Sequence, residues 1–112
     1  MNFPIEQAGQ NAVVIRVGAS LDFRNASDFK AIVQQQVDTG IRRFILDFSE
    51  TNVLDSTGLG SIFSLHRNLS SSNGHVMFAA ASRPVQVVVQ LTRTYKVFRQ
   101  FSSVEAAVQS LE

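Results

Sequence analysis

Hydrophobic residues in this chain form short continuous runs that alternate with repeats spaced by three and four residues. The runs have the length of buried strands, and the clearest lie at positions 13–17, 44–48 and 75–80. Shorter runs at 3–5 and 98–102 predict two further strands, the second at a sheet edge. The repeats have the period that places side chains on one helical face, and they lie at 25–38, 58–69, 85–92 and 103–111.

Strands that alternate with helices predict an α/β fold. We expect one domain over residues 1–112, because the sequence contains no internal repeat and no linker. Its β-sheet should be mixed but mostly parallel, with about four or five strands and about four helices packed on it.

Capping residues support the ends of the predicted helices. Asn25 is suited to cap the first helix, which should stop at Gly40. The segment at 85–91 is ambiguous, because its three consecutive valines favour a strand. Ser82 is a good N-cap and Pro84 is tolerated in a first helical turn, so we predict a helix there.

Composition and charge describe a globular protein and exclude several functions. Hydrophobic residues make up 45% of the chain and charged residues 17%, which is typical of a folded domain. The net charge of +1 is too small to drive non-specific nucleic-acid binding. No apolar run reaches the roughly 18 residues of a membrane span, and no signal peptide is evident, so we expect a cytoplasmic protein without membrane insertion. The absence of cysteine excludes thiol catalysis and thiolate metal sites.

The most informative segment is Asp-Ser-Thr-Gly-Leu-Gly at 55–60, where a predicted strand passes into a predicted helix. Ser56 therefore lies at a helix start, where free N–H groups and the helix dipole tolerate an anion. Phosphate added to Ser56 would be compatible with the fold. Simple helix capping by Asp55, Ser56 or Thr57 is the alternative interpretation.

The sequence gives little indication of catalysis or of a bound cofactor. His66 lies on the apolar face of its predicted helix and His75 opens a strand, so they make a poor metal site. The sequence has no Gly-x-Ser-x-Gly segment, and the glycines at 58 and 60 lack the lysine and length of a phosphate-binding loop. We therefore expect no enzyme activity, no metal and no cofactor.

Several segments together resemble the STAS domain of bacterial anti-sigma factor antagonists. They are Gly18, Leu21-Asp22, the strand at 45–48, the segment at 54–60 and the closing helix at 103–108. The resemblance implies that Ser56 is phosphorylated by a partner kinase, with Thr57 as the alternative acceptor. One departure concerns positions 91–96, which lack a glycine that the family often carries; Thr94 stands there, and a β-branched residue is poor at positive φ.

The resemblance implies a non-enzymatic switch that binds an anti-sigma factor with serine-kinase activity and that a serine phosphatase resets. We expect the free domain to be a monomer. The partner-binding residues are expected to be Asp22, Phe23, Asp55, Ser56, Thr57, Gly58, Leu59 and Ser61.

Some roles within this set stay open. Asp22 and Asp55 either cap turns or line the serine and help to hold a metal that the kinase's nucleotide brings. Phe23 is either folded into the core or exposed for a partner. The alternative function is an accessory or scaffold subunit of a transporter or sensory assembly, without a phospho-switch at Ser56.

Overall fold

A computed structural model describes residues 3–112 and shows two layers of helices around a central sheet. The strands are β1 (Ile5–Gly9), β2 (Ala12–Arg16), β3 (Ser20–Leu21), β4 (Arg43–Asp47), β5 (Val53–Leu54), β6 (His75–Ala79) and β7 (Arg99–Phe101). The helices are α1 (Ala26–Asp38), α2 (Ser56–Ser70), α3 (Arg83–Thr92) and α4 (Val104–Gln109), with a 3₁₀ turn at Thr94–Lys96.

The main sheet has the order β1-β2-β4-β6-β7 and is parallel except for the β1–β2 pair. Because side chains alternate along each strand, the sheet has two apolar faces. One face packs against α1, α2 and α3, and its core includes Phe44, Leu46 and Phe78. The other face carries a smaller cluster that packs against Ala107 of α4. The predicted fold class is confirmed.

The ambiguous segment is a helix, as predicted. The hydroxyl of Ser82 accepts a hydrogen bond from the Val85 N–H at 3.4 Å, and Pro84 occupies the first turn. Val85 and Val89 point into the core, so their helical spacing overrides the strand propensity of valine. Ser103, where the closing helix was predicted to start, caps α4 by accepting from the Ala106 N–H at 3.0 Å.

Other element boundaries differ from the prediction. The first strand is Ile5–Gly9 rather than 3–5, because its pairing with β2 extends the ladder beyond the apolar run. The helix α2 begins at Ser56, two residues before Gly58, since Asp55 provides the N-cap. The two-residue strands β3 and β5 were not predicted; such short segments carry no periodic pattern.

The turn after α3 also differs from the expectation. Arg93, not Thr94, adopts the left-handed conformation, with φ 55° and ψ 30°. Thr94 instead begins the 3₁₀ turn and is buried. The missing glycine is therefore accommodated one residue earlier, by an arginine whose unbranched Cβ tolerates positive φ better than threonine.

Candidate functional site

Two short paired strands bring the predicted site residues together. β3 and β5 are parallel, with Leu21 opposite Leu54. Asp22 and Asp55 follow these strands directly, and the Asp55 N–H donates to the Leu21 carbonyl at 3.3 Å. The pair therefore places the loop at 22–25 beside the start of α2.

Asp55 joins the loop to the helix through both of its carboxylate oxygens. Oδ1 accepts from the Gly58 N–H at 2.7 Å, which is a helix N-cap, and Oδ2 accepts from the Phe23 N–H at 3.0 Å. The Asp55 carbonyl also accepts from the Leu59 N–H at 2.9 Å. The capping role considered for Asp55 is therefore present.

Asp22 is buried and organises its own loop. Its Oδ1 accepts from the Arg24 N–H at 2.9 Å, and its Oδ2 forms an ion pair with the Arg24 guanidinium at 2.7 Å. The hydrogen bonds from the Arg24 side chain hold the pKa of the Asp22 carboxyl below its ordinary value. Asp22 thus stays charged under the surface of the loop.

Asn25 is the residue before α1, but its side chain does not cap that helix. Its Oδ1 accepts from the Asp22 N–H at 2.9 Å, and its Nδ2 donates to the Ser20 carbonyl at 2.8 Å. The predicted side-chain cap is therefore wrong. Burial explains the difference, because the amide satisfies loop groups that water does not reach.

Ser56 and Thr57 are exposed at the first two positions of α2. N–H groups in a first helical turn have no partner within the helix, and the positive end of the dipole favours anions there. The first turn of α2 contains no acidic side chain. The hydroxyl of Ser56 is thus accessible at a position that tolerates added negative charge.

Exposed apolar side chains and an apolar groove lie in the segments around Ser56. Phe23 is 73% exposed and Val53 is 44% exposed, so the core position considered for Phe23 is wrong. A groove of about 270 Å³ lies between α2 and α3, and Ser56 is part of its wall. The groove is otherwise lined mainly by Leu54, Leu59, Phe63 and Val88. Phe63 and Val88 were missed as surface residues because their helical spacing is that of core positions.

The other predicted partner residues lie under this surface. Asp22, Gly58 and Ser61 are buried, and Leu59 is only 8% exposed. The Ser61 hydroxyl donates to the Gly58 carbonyl at 2.6 Å, which turns it into the helix rather than toward a partner. These buried side chains support the surface residues. Of the predicted set, only Phe23, Ser56 and Thr57 are exposed.

Residues 3–112 lack two other kinds of functional feature, a metal-binding cluster and a membrane-spanning helix. No group of three or more histidine and carboxylate side chains within that range is arranged to hold a metal ion. Within the same range no helix combines the length and apolarity needed to cross a membrane. His66 packs edge-on against Phe98, with ring centroids 5.2 Å apart, as expected for a partly buried histidine.

Asp55→Ala is expected to lower the free energy of unfolding by about 1 to 3 kcal/mol, because two N–H groups lose their acceptor. Asp55→Asn keeps one acceptor oxygen and should fall between wild type and alanine. Ser103→Ala, which removes a cap with one hydrogen bond from α4, is the matched control. Urea titration gives the free energy of unfolding of all three variants and of the wild type. An Asp55→Ala protein as stable as wild type would show that these bonds do not hold the loop.

The sequence is similar to a known domain family and to a characterised class of regulatory protein. The STAS domain family model matches residues 3–107. An anti-sigma F factor antagonist from Paenibacillus polymyxa is 25% identical, over 100% of this chain and 97% of its own length.

Three structures have the same fold. The anti-sigma factor antagonist SpoIIAA in its unphosphorylated form has a TM-score of 0.85 and 22% identity, covering 98% of this chain and 96% of its own. Bacillus SpoIIAA in its phosphorylated form has a TM-score of 0.79 and 21% identity, covering 99% and 100%. A sulfate transporter family protein from Wolinella succinogenes has a TM-score of 0.79 and 13% identity, covering 94% and 88%.

Proposed function

Because this chain belongs to the STAS domain family, we propose that it is an anti-sigma factor antagonist controlled by phosphorylation of Ser56. The unmodified protein binds an anti-sigma factor that is also a serine kinase. This binding frees the sigma factor that the kinase otherwise holds. The kinase transfers the γ-phosphoryl group of ATP to the Ser56 hydroxyl oxygen. ADP leaves, the hydroxyl proton is lost, and the complex dissociates.

Ser56 is exposed at the start of α2, beside apolar surface. This position is the main support for the proposal. A kinase needs an accessible hydroxyl, and a protein partner needs surface that gains from leaving water. Phe23 and the groove between α2 and α3 supply that surface. A modification at Ser56 would therefore fall inside the contact area.

Phosphate on Ser56 would change the charge of this contact. It adds about −1.5 to −2 charge at neutral pH, directly beside the Asp55 carboxylate. In the unbound protein the phosphate is hydrated, and the start of α2 tolerates its charge. In the complex the same charge must lose its hydration next to another anion, which costs about 3 kcal/mol and weakens binding roughly a hundredfold. A serine phosphatase resets the switch by hydrolysing the phosphoserine with water.

The carboxylates of Asp22 and Asp55 serve this switch by holding the loop in place. Their oxygens accept from the N–H groups of Arg24, Gly58 and Phe23. The Asp22 carboxylate is also neutralised by its ion pair with Arg24 at 2.7 Å, and the two bonds to Asp55 fix its orientation between the loop and the helix. We therefore assign the two aspartates to positioning the surface around Ser56 rather than to holding a metal.

Phosphopeptide mapping is expected to place the phosphate on Ser56. After incubation with the cognate kinase and ATP, one modified peptide should contain residues 55–57, because Ser56 is exposed at a helix start beside the apolar surface. The exposed serines at 70–72 form an internal control, since they are equally accessible but lie at the other end of α2. Phosphate on those serines, or on Thr57 alone, would contradict the proposal.

A transporter accessory remains the second candidate, favoured by the shared fold with a sulfate transporter family protein. The two functions predict different effects of charge at position 56. An accessory subunit without a switch should retain its partner from cell extract whether residue 56 is serine or aspartate. Loss of the retained partner in Ser56→Asp alone, with that partner being a kinase, would favour the antagonist.

A further inference from the structure

Four side chains that can carry positive charge line one cavity far from Ser56. Arg43, His75 and Arg99 begin β4, β6 and β7, so they lie at the amino end of the parallel strands. Ser56 begins α2 next to the separate two-stranded β3–β5 sheet, which is not part of the main sheet. His66 reaches the cavity from α2, ten residues and about 15 Å along the helix from Ser56.

The cavity has a volume of about 290 Å³, near the lower end of small-molecule sites. Besides the four basic side chains its wall includes apolar ones, among them Val76 and Val97. Among the described residues that line it, none is acidic. The cavity is thus basic on one part of its wall and apolar on another, although the chain as a whole carries a net charge of only +1.

Three of the four basic groups are held in place by the fold. The Arg43 guanidinium donates to the Leu111 carbonyl at 3.1 Å and also to the Gln10 carbonyl. The Arg99 guanidinium lies 4.8 Å from the centre of the Phe101 ring. The His66 ring packs edge-on against Phe98. Groups that are fixed before binding lose little conformational entropy when a ligand arrives.

We propose that this cavity binds a small organic anion, with an oxyanion end held by Arg43 and Arg99 and an apolar body against Val76 and Val97. Planar guanidinium groups recognise carboxylate and phosphate oxygens through paired hydrogen bonds. Arginine also keeps its charge at any physiological pH. The proposal is independent of the function proposed for Ser56, because it uses none of the same residues.

The test compares benzoate with benzamide, which has the same ring and nearly the same shape but no charge, by NMR titration of the wild-type protein. Benzoate should cause saturable shifts of the His66 and His75 ring signals and of the Val76 and Val97 amides. Benzamide should bind at least about tenfold more weakly, the difference expected from one charge-assisted contact. Equal binding of the two, no saturable shift, or shifts centred on the start of α2 would overturn the proposal.

Arg99→Gln is the matching variant, because Arg99 is exposed and on an edge strand. It should weaken benzoate binding about tenfold. Arg67→Gln is the control, since it removes the same charge next to His66 from a side chain that does not line the cavity. Equal weakening in both variants would indicate a general charge effect and would also overturn the proposal. If Arg99→Gln does not fold, the wild-type comparison of the two probes decides.

Discussion

Gly58→Ala is expected to lower the free energy of unfolding by about 3 kcal/mol or more, which is a large fraction of the stability of a small domain. A Cβ atom at residue 58 would lie 2.1 Å from the Leu21 carbonyl oxygen and 2.7 Å from its carbonyl carbon. Both are backbone atoms of β3, so they cannot move aside as a flexible side chain would. The start of α2 would have to separate from the β3–β5 pair that positions the site.

Gly60→Ala is the matched control on the same helix. Outside its chain neighbours and the backbone of its own helix, no atom lies within 4 Å of a Cβ added there. Alanine is also a better helix former than glycine, so stability should rise by up to about 1 kcal/mol. Urea unfolding of both variants gives the comparison, and NMR spectra should show that the Gly58→Ala changes centre on β3 and the loop at 22–25. Equal stabilities would show that the close approach of α2 to β3 is not required.

Ser56→Asp is expected to weaken binding of the kinase partner about tenfold or more, whereas Ser56→Ala should bind like wild type and resist inactivation. Alanine removes the acceptor hydroxyl with little loss of contact area. Aspartate places a permanent carboxylate beside Asp55 in a surface that must lose water to bind. Aspartate has less charge than phosphate, so its effect should be smaller than the roughly hundredfold effect of phosphorylation.

The loss of binding should occur without loss of fold. The start of α2 favours an anion by about 0.3 to 1 kcal/mol, so Ser56→Asp should melt close to wild type. Ser71→Asp is the control for added charge, because Ser71 is exposed at the opposite end of α2. It should bind the partner normally. A melting temperature many degrees lower in Ser56→Asp would show instead that the hydroxyl is packed.

Periodicity predicted the elements whose apolar residues face a core. The four helices and the parallel strands follow from such patterns, and the helix α3 was predicted despite its valines because Ser82 and Pro84 mark its start. The Asp55 cap was likewise foreseen as one of two roles, since an aspartate before a helical repeat is a common N-cap.

The arrangement around the site was harder to predict. The β3–β5 pair is only two residues long, so its hydrogen bonds and not its pattern define it. The bond from the Phe23 N–H to Asp55 spans 32 positions, which no local pattern shows. Arg24 as the partner of Asp22 was missed, and so was the groove that Phe63 and Val88 help to form. These features depend on tertiary contacts between loops and helices that are distant in sequence.

The most direct test is calorimetric titration of the kinase-type partner, in the presence of ADP, with unmodified protein and with protein phosphorylated stoichiometrically at Ser56. ADP prevents further phosphoryl transfer during the measurement, so the affinities of the two forms can be compared. Control by phosphorylation of Ser56 predicts tight binding of the unmodified protein and about a hundredfold weaker binding of the phosphorylated protein. The melting temperatures of the two forms should be the same. Equal affinities of the two forms would contradict control by phosphorylation.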